Sequence, residues 1–116
     1  MKFKGYTKKE LLRIYEIMQL SRYLDEKQLI LLKQGKGFFH IGASGHEACT
    51  LAAADCMKSG FDYAYPYYRD QAFCLGLGMT SKEILLSFLA KDADPNSSGR
   101  QMPVSYTNLT MPTSDI

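Results

Sequence analysis

The stretch from Thr7 to Gln34 constrains the chain most, because it carries both a helix start signal and a long helical period. Thr7-Lys8-Lys9-Glu10 has the spacing of a capping box, in which each side chain satisfies the other residue's orphan backbone donor. Leu11, Ile14, Tyr15, Met18, Leu29 and Leu32 then recur at helical spacing, with Leu20, Tyr23, Leu24 and Leu31 in an adjacent stripe. Gly35 supplies a terminator. A helix to about Gln34 follows, and its wide apolar face predicts burial against more than one partner. Arg22 interrupts the apolar stripe three and four residues before Asp25 and Glu26, so it either makes intrahelical ion pairs or ties the helix to another segment.

Size and composition limit what can be built around that helix. A chain of 116 residues has room for one small domain, or is a piece of something larger. Its hydrophobic fraction of 46% and charged fraction of 22% are those of an ordinary globular chain, without an apolar run of the roughly 20 residues needed to span a bilayer. A net charge of +2 is too small to imply nucleic acid. Cys49, Cys56 and Cys74 have no metal-ligand spacing, and read as buried thiols in a reducing compartment. The first residues lack the apolar core of a secretory signal, so the expected location is cytoplasmic.

After Gly37, Phe38-Phe39-His40-Ile41 reads as a short β-like run leading into the small-residue turn Gly42-Ala43-Ser44-Gly45. Ser44-Gly45-His46-Glu47 repeats the capping-box spacing and opens a second helix to about Lys58, before Ser59-Gly60. Alanines 48, 52, 53 and 54 would let a neighbouring backbone come close. His46 falls where packing or capping is its expected role. His40 leaves an apolar run at a glycine-rich turn that a ligand could reach, although a lone histidine is more often structural.

Four of the eight tyrosines lie between Tyr63 and Tyr68, directly ahead of Arg69, Asp70 and Gln71. Phe61 to Tyr65 alternates like a strand, Pro66 biases Tyr65 toward extended geometry, and Gln71 to Gly78 reads as a short helix. A phenol can donate to an oxyanion, and a guanidinium is a permanently charged fork suited to phosphate or carboxylate. Near a helix N-terminus, Tyr68 and Arg69 suggest an anion site. The competing reading is a tyrosine cluster packed on itself, with Arg69 paired to Asp70 or Asp62.

Thr80-Ser81-Lys82-Glu83 is a third capping signal, followed by Ile84, Leu85, Phe88 and Leu89 on one face. Asp92 to Gly99 is turn-rich, and Val104 to Ile116 has no periodicity and reads as unstructured. There is no phosphate loop, dinucleotide fingerprint, Ser-His-Asp order or zinc spacing. The helices and short strands are too few for a complete α/β sheet.

Taken together, Gln34-Gly35-Lys36-Gly37-Phe38-Phe39-His40, Gly45-His46-Glu47-Ala48, Tyr67-Tyr68-Arg69-Asp70 and Gly99-Arg100-Gln101-Met102-Pro103 resemble the N-terminal part of the alpha subunit of thiamine-diphosphate-dependent 2-oxo acid dehydrogenases. The likeness covers about residues 7 to 103, and the Gly-Arg-Gln-Met-Pro ending looks most like the branched-chain members. It implies an α/β thiamine-diphosphate-binding fold of which only the mostly helical N-terminal portion is present, with residues 1–103 as part of that domain and 104–116 as a non-native unstructured tail.

The resemblance also implies a site and a chemistry. Tyr68 and Arg69 match the pair that holds the cofactor's diphosphate. Phe39 and His40 match a segment approaching the substrate channel. Gln71 stands where many pyruvate-type relatives carry histidine, which leaves a proton-handling role there without its usual group. The implied reaction is decarboxylation of a 2-oxo acid on thiamine diphosphate with magnesium, and reductive passage of the acyl unit to a lipoyl arm. The implied partners are a beta subunit or fused beta domain and a lipoyl-bearing acyltransferase component, with no nucleic acid and no membrane.

The chain departs from the pattern after Pro103, where Ser105 replaces the expected histidine and the Gly-Asp-Gly to Asn-Asn stretch that binds magnesium is missing. The expectation is therefore a fragment of the decarboxylating component, inactive alone. The alternative is a small stand-alone helical module that binds an anionic ligand or a protein without catalysis.

Overall fold

A computed structural model of the 116-residue chain describes residues 2–58, 61–95, 97–99 and 109–110. Its order of elements is β1 (Lys2–Phe3), β2 (Tyr6–Thr7), α1 (Lys8–Lys33), α2 (Glu47–Asp55), β3 (Tyr63–Ala64), α3 (Gln71–Gly76), α4 (Ser81–Phe88) and β4 (Leu109–Thr110). Strands β1 and β2 form a hairpin whose two-residue turn, Lys4-Gly5, has positive φ at both positions (47° and 90°), as the twist of a tight hairpin requires.

Helix α1 begins as the sequence predicts. The Thr7 hydroxyl accepts from the Glu10 amide and the Glu10 carboxylate accepts from the Thr7 amide, so the capping box is complete. Gln34 caps the other end and Gly35 follows at a φ of 76°. The buried face differs from the expected one. It consists of Ser21, Leu24, Asp25, Gln28 and Leu31, whereas Leu12, Tyr15, Tyr23, Leu29 and Ile30 are exposed. A polar seam thus occupies the middle of the face that meets the other helices.

Helix α3 lies between α1 and α2 and joins two apolar clusters. One holds Leu24, Cys74, Leu75, Met79 and Ile84; the other holds Leu51, Ala54, Ala64 and Leu77. Ile17 and Phe73 pack against both. Full burial of each large side chain contributes about 1.5–3 kcal/mol. The α2–α3 crossing depends on small residues, because a Cβ on Gly76 would stand 2.7 Å from a Leu51 methyl and 3.0 Å from the Ala54 Cβ. The expected close approach to the alanine-rich helix occurs at Ala54; Ala48, Ala52 and Ala53 face outward. In α4 the Thr80 hydroxyl accepts from the Glu83 amide, and Ile84 and Phe88 are buried.

Several sequence expectations fail for physical reasons. Residues 38–41 form no strand: the run has β-like side chains but no ladder partner among the described residues. Ser44 does not cap α2. Its hydroxyl donates to Asp25, and His46 occupies the N-cap without a side-chain cap bond. Helix α2 ends at Asp55 rather than Lys58. Of the alternating stretch 61–65, only Tyr63–Ala64 is a strand. Cys49 and Cys56 are exposed, and only Cys74 is buried; all three are free.

Within the segment read as unstructured, Leu109–Thr110 pairs antiparallel with Ala64 and Tyr63. The rest of 104–116, together with Arg100, Gln101, Met102 and Pro103, lies outside the described residues.

Candidate functional site

The candidate site forms where α1 meets the turn 42–45 and the start of α3. Asp25 is 5% exposed. Its Oδ2 accepts from the Ala43 amide at 2.8 Å and from the Ser44 hydroxyl at 3.0 Å. Glu47 holds the next amide, accepting from Gly45 at 2.7 Å through Oε2, while its Oε1 accepts from the Arg22 Nε at 2.7 Å. Arg22 is therefore a tether between helices rather than a partner of Asp25 or Glu26. Its hydrogen bond holds the Glu47 carboxyl below the usual carboxylate range, against the opposing effect of burial, with the backbone amides of Glu47 itself and of Gly45 lowering it further.

Two carboxylates thus consume the amides of Ala43 and Gly45, and the Gly42 carbonyl is left for Arg69. Arg69 Nη1 donates to that carbonyl at 3.0 Å. The guanidinium is exposed, and among the described residues it makes no ion pair with a carboxylate, Asp62 and Asp70 included. Asp70 instead accepts from the Tyr67 amide at 2.8 Å, and Asp62 from the Lys58 amide. Arg69 keeps most of its five donors for something else.

Tyr67 and Tyr68 stack on each other, with centroids 3.8 Å apart and an interplanar angle of 36°, and their hydroxyls are hydrogen bonded to one another. The Arg69 Cζ stands 5.7 Å from the Tyr68 ring centroid. Both sequence readings are partly present: the tyrosines do pack together, yet Arg69 is not neutralised. The helix-dipole argument is weaker than the sequence suggested, because α3 has only six residues. Any anion preference rests on the guanidinium and the phenols.

His40 comes into the same neighbourhood. A Cβ added to Gly42 would lie 3.5 Å from His40 Nε2 and 3.8 Å from Asp25 Oδ2, so both side chains stand beside the turn. The His40 ring meets Phe88 edge-on at 6.2 Å. Gly37 allows the approach, since a Cβ there would fall 2.6 Å from the Phe88 ring. Phe39 is 49% exposed beside it. Of the four expected site residues, His40, Tyr68 and Arg69 therefore cluster around the Gly42 turn, and Phe39 adjoins them through His40 in sequence.

Sequence reasoning missed the polar seam beneath. Gln71 is buried. Its Nε2 donates to the Ser21 carbonyl at 2.9 Å and approaches Ser21 Oγ at 3.3 Å and Asp25 Oδ1 at 3.5 Å, while its Oε1 accepts from Gln28 at 3.2 Å. The available signal was the spacing of Ser21, Asp25 and Gln28, which places three polar residues on one helical face. Among the described residues no group of three or more His, Cys, Asp and Glu could hold a metal ion, and no helix is long and apolar enough to cross a membrane. Burial pushes the Cys74 thiol up to about 12, with Asp70 contributing, so it stays protonated in the core.

The sequence that carries this turn and its exposed guanidinium matches known proteins. Residues 15–115 match the family model described as the dehydrogenase E1 component, and the chain belongs to that family. It is 44% identical over 99 residues to the 2-oxoisovalerate dehydrogenase subunit alpha of Bacillus subtilis strain 168, an alignment covering 85% of this chain and 30% of that protein. It is also 31% identical over 100 residues to 2-oxoisovalerate dehydrogenase subunit alpha 1, mitochondrial, of Arabidopsis thaliana (86% and 21%). With the pyruvate dehydrogenase E1 component subunit alpha of Staphylococcus aureus strain Mu50 it shares 31% over 80 residues (69% and 21%). The chain thus spans between about a fifth and a third of the length of the curated relatives it matches.

Proposed function

We propose that this chain contributes the diphosphate-facing part of the cofactor site in the decarboxylating component of a 2-oxo acid dehydrogenase, with branched-chain 2-oxo acids as the favoured substrates. The observation that carries the reading is the Arg69 guanidinium, exposed, anchored to the Gly42 carbonyl and free of carboxylate partners among the described residues. The donor set fits thiamine diphosphate: a guanidinium and an adjacent phenol complement phosphate oxygens, with Arg69 and Tyr68 as the holding residues. The cofactor, when bound, supplies the electron sink for decarboxylation. His40, close to Gly42, and Phe39 face the substrate side in this reading.

The exposed face of α1, with Leu12, Tyr15, Tyr23, Leu29 and Ile30, supports the further expectation that more protein packs there: a beta chain or domain, in an assembly that passes acyl units to a lipoyl-bearing acyltransferase.

A charge-assisted hydrogen bond contributes about 1.5–3 kcal/mol, equivalent to a roughly ten- to hundredfold change in affinity. In the complete component containing this chain, Arg69→Ala is therefore expected to weaken thiamine diphosphate binding by about that factor, read by calorimetry in the presence of magnesium. Unchanged affinity would remove the diphosphate role.

A further inference from the structure

We infer that Asp25 is a positioning residue that sets the Arg69 guanidinium through the Gly42 turn. The inference rests on the diphosphate reading above and names the group that prepares that site. Arg69 is fixed at one point among the described residues, its hydrogen bond to the Gly42 carbonyl. The direction of a carbonyl is set by the peptide plane it belongs to, and the plane joining Gly42 to Ala43 carries the Gly42 carbonyl at one end and the Ala43 amide at the other. That amide is held by Asp25 Oδ2 at 2.8 Å. One carboxylate oxygen and one guanidinium nitrogen therefore grip opposite ends of a single rigid peptide unit.

The Asp25 oxygen is itself held in place. It also accepts from Ser44 Oγ at 3.0 Å, and the carboxylate's other oxygen lies 3.5 Å from Gln71 Nε2. Asp25 sits in the middle of a 26-residue helix and is buried, so its backbone is a rigid reference for the turn. Asp25 and His40 both stand beside Gly42, at 3.8 and 3.5 Å from the position a Cβ would take there. Rotating the 42–43 plane would disturb the Asp25 and Arg69 bonds together, because both belong to that peptide unit. Asp25 touches no part of the proposed ligand; it acts through the peptide.

The discriminating experiment is a double-mutant cycle in the complete component, with calorimetric affinity for thiamine diphosphate plus magnesium as the readout and circular dichroism as the check on folding. Asp25→Asn is expected to weaken binding by about tenfold in the wild-type background and by less than about twofold when Arg69 is already alanine. Equal losses in both backgrounds mean that Asp25 acts on the structure at large, and overturn the inference. So does an Asp25→Asn variant that binds normally while Arg69→Ala binds weakly. If Arg69→Ala itself binds normally, the diphosphate reading fails first. Should Asp25→Asn not fold, Ser44→Ala removes one contact to the same oxygen. It is expected to weaken binding by about twofold to threefold through Arg69 alone, and an equal loss without Arg69 overturns the inference again.

Discussion

Two polar regions of this molecule, one buried and one exposed, are built on opposite principles. In the seam of Ser21, Asp25, Gln28 and Gln71, short side chains from α1 and α3 satisfy each other and the turn 42–45 in the dark. In the stretch from Tyr63 to Arg69, large rings stand in the open, with Tyr63, Tyr65 and Tyr67 each more than half exposed. Buried polar groups are costly unless fully partnered, so the seam fixes one arrangement and tolerates little change. Exposed rings stack locally and leave their neighbours' positions free. The seam is where geometry is determined, and the tyrosine stretch is where a ligand or partner can be met.

Breaking the seam is the largest test of this contrast. Gln71→Ala withdraws the acceptor of the Gln28 amide and the donor to the Ser21 carbonyl, and leaves both buried. The Ser21 carbonyl keeps its hydrogen bond within α1, so the Gln28 amide is the group left without a partner; an unsatisfied buried group costs about 1–3 kcal/mol, and a loss in that range is expected. The midpoint of urea unfolding followed by far-ultraviolet circular dichroism measures it. A loss below about 1 kcal/mol would mean that water replaces the amide and the seam is not closed.

The sequence made parts of this legible and hid others for a clear reason. Capping at Thr7 and Thr80 depends on residues three apart, and both caps formed. The turn at Gly35 was local as well, whereas α3 ends at Gly76, two residues before the expected Gly78. The Ser44 signal had the same spacing, but Asp25, 19 residues earlier, claimed the hydroxyl first. Gln71 and Ser21 are 50 residues apart, so no window of local pattern joins them. The motif Tyr68-Arg69 was visible because it is contiguous. Its support at Gly42, 27 residues away from Arg69, was not. Phe38 to Ile41 had strand-like composition, and composition does not supply a neighbouring strand.

A smaller effect sharpens the comparison at the edge of the seam, where Arg22 ties Glu47 to α1 from a half-exposed position. The folded-state Glu47 carboxyl lies below its ordinary value of 4.5, first because of the Arg22 hydrogen bond. In that window the unfolded chain binds more protons than the folded one, so stability rises with pH. The contribution is complete above 4.5 and is lost as pH falls through the lower folded-state value. Arg22→Gln is expected to flatten this acid limb relative to the wild type when unfolding midpoints are compared between pH 6 and pH 3, conditions chosen to bracket about 4.5. An unchanged limb would assign the acid sensitivity to other carboxylates.

The smallest expected effect belongs to the tyrosine stretch. Tyr65 is 75% exposed, follows β3 and precedes the buried Pro66, so its ring contributes little to either apolar cluster. Tyr65→Ser is expected to shift stability by no more than about 0.5 kcal/mol, within the range of surface substitutions away from special backbone or core features. The same urea titration used for Gln71→Ala measures it, and the ratio of the two effects is the quantity of interest. A loss near that of Gln71→Ala would mean that the Tyr65 ring closes the groove between α2 and β3 lined by Met57, Ala64 and Phe73. The tyrosine stretch would then be structural, and Arg69 would be presented by packed rings as well as by the Gly42 peptide.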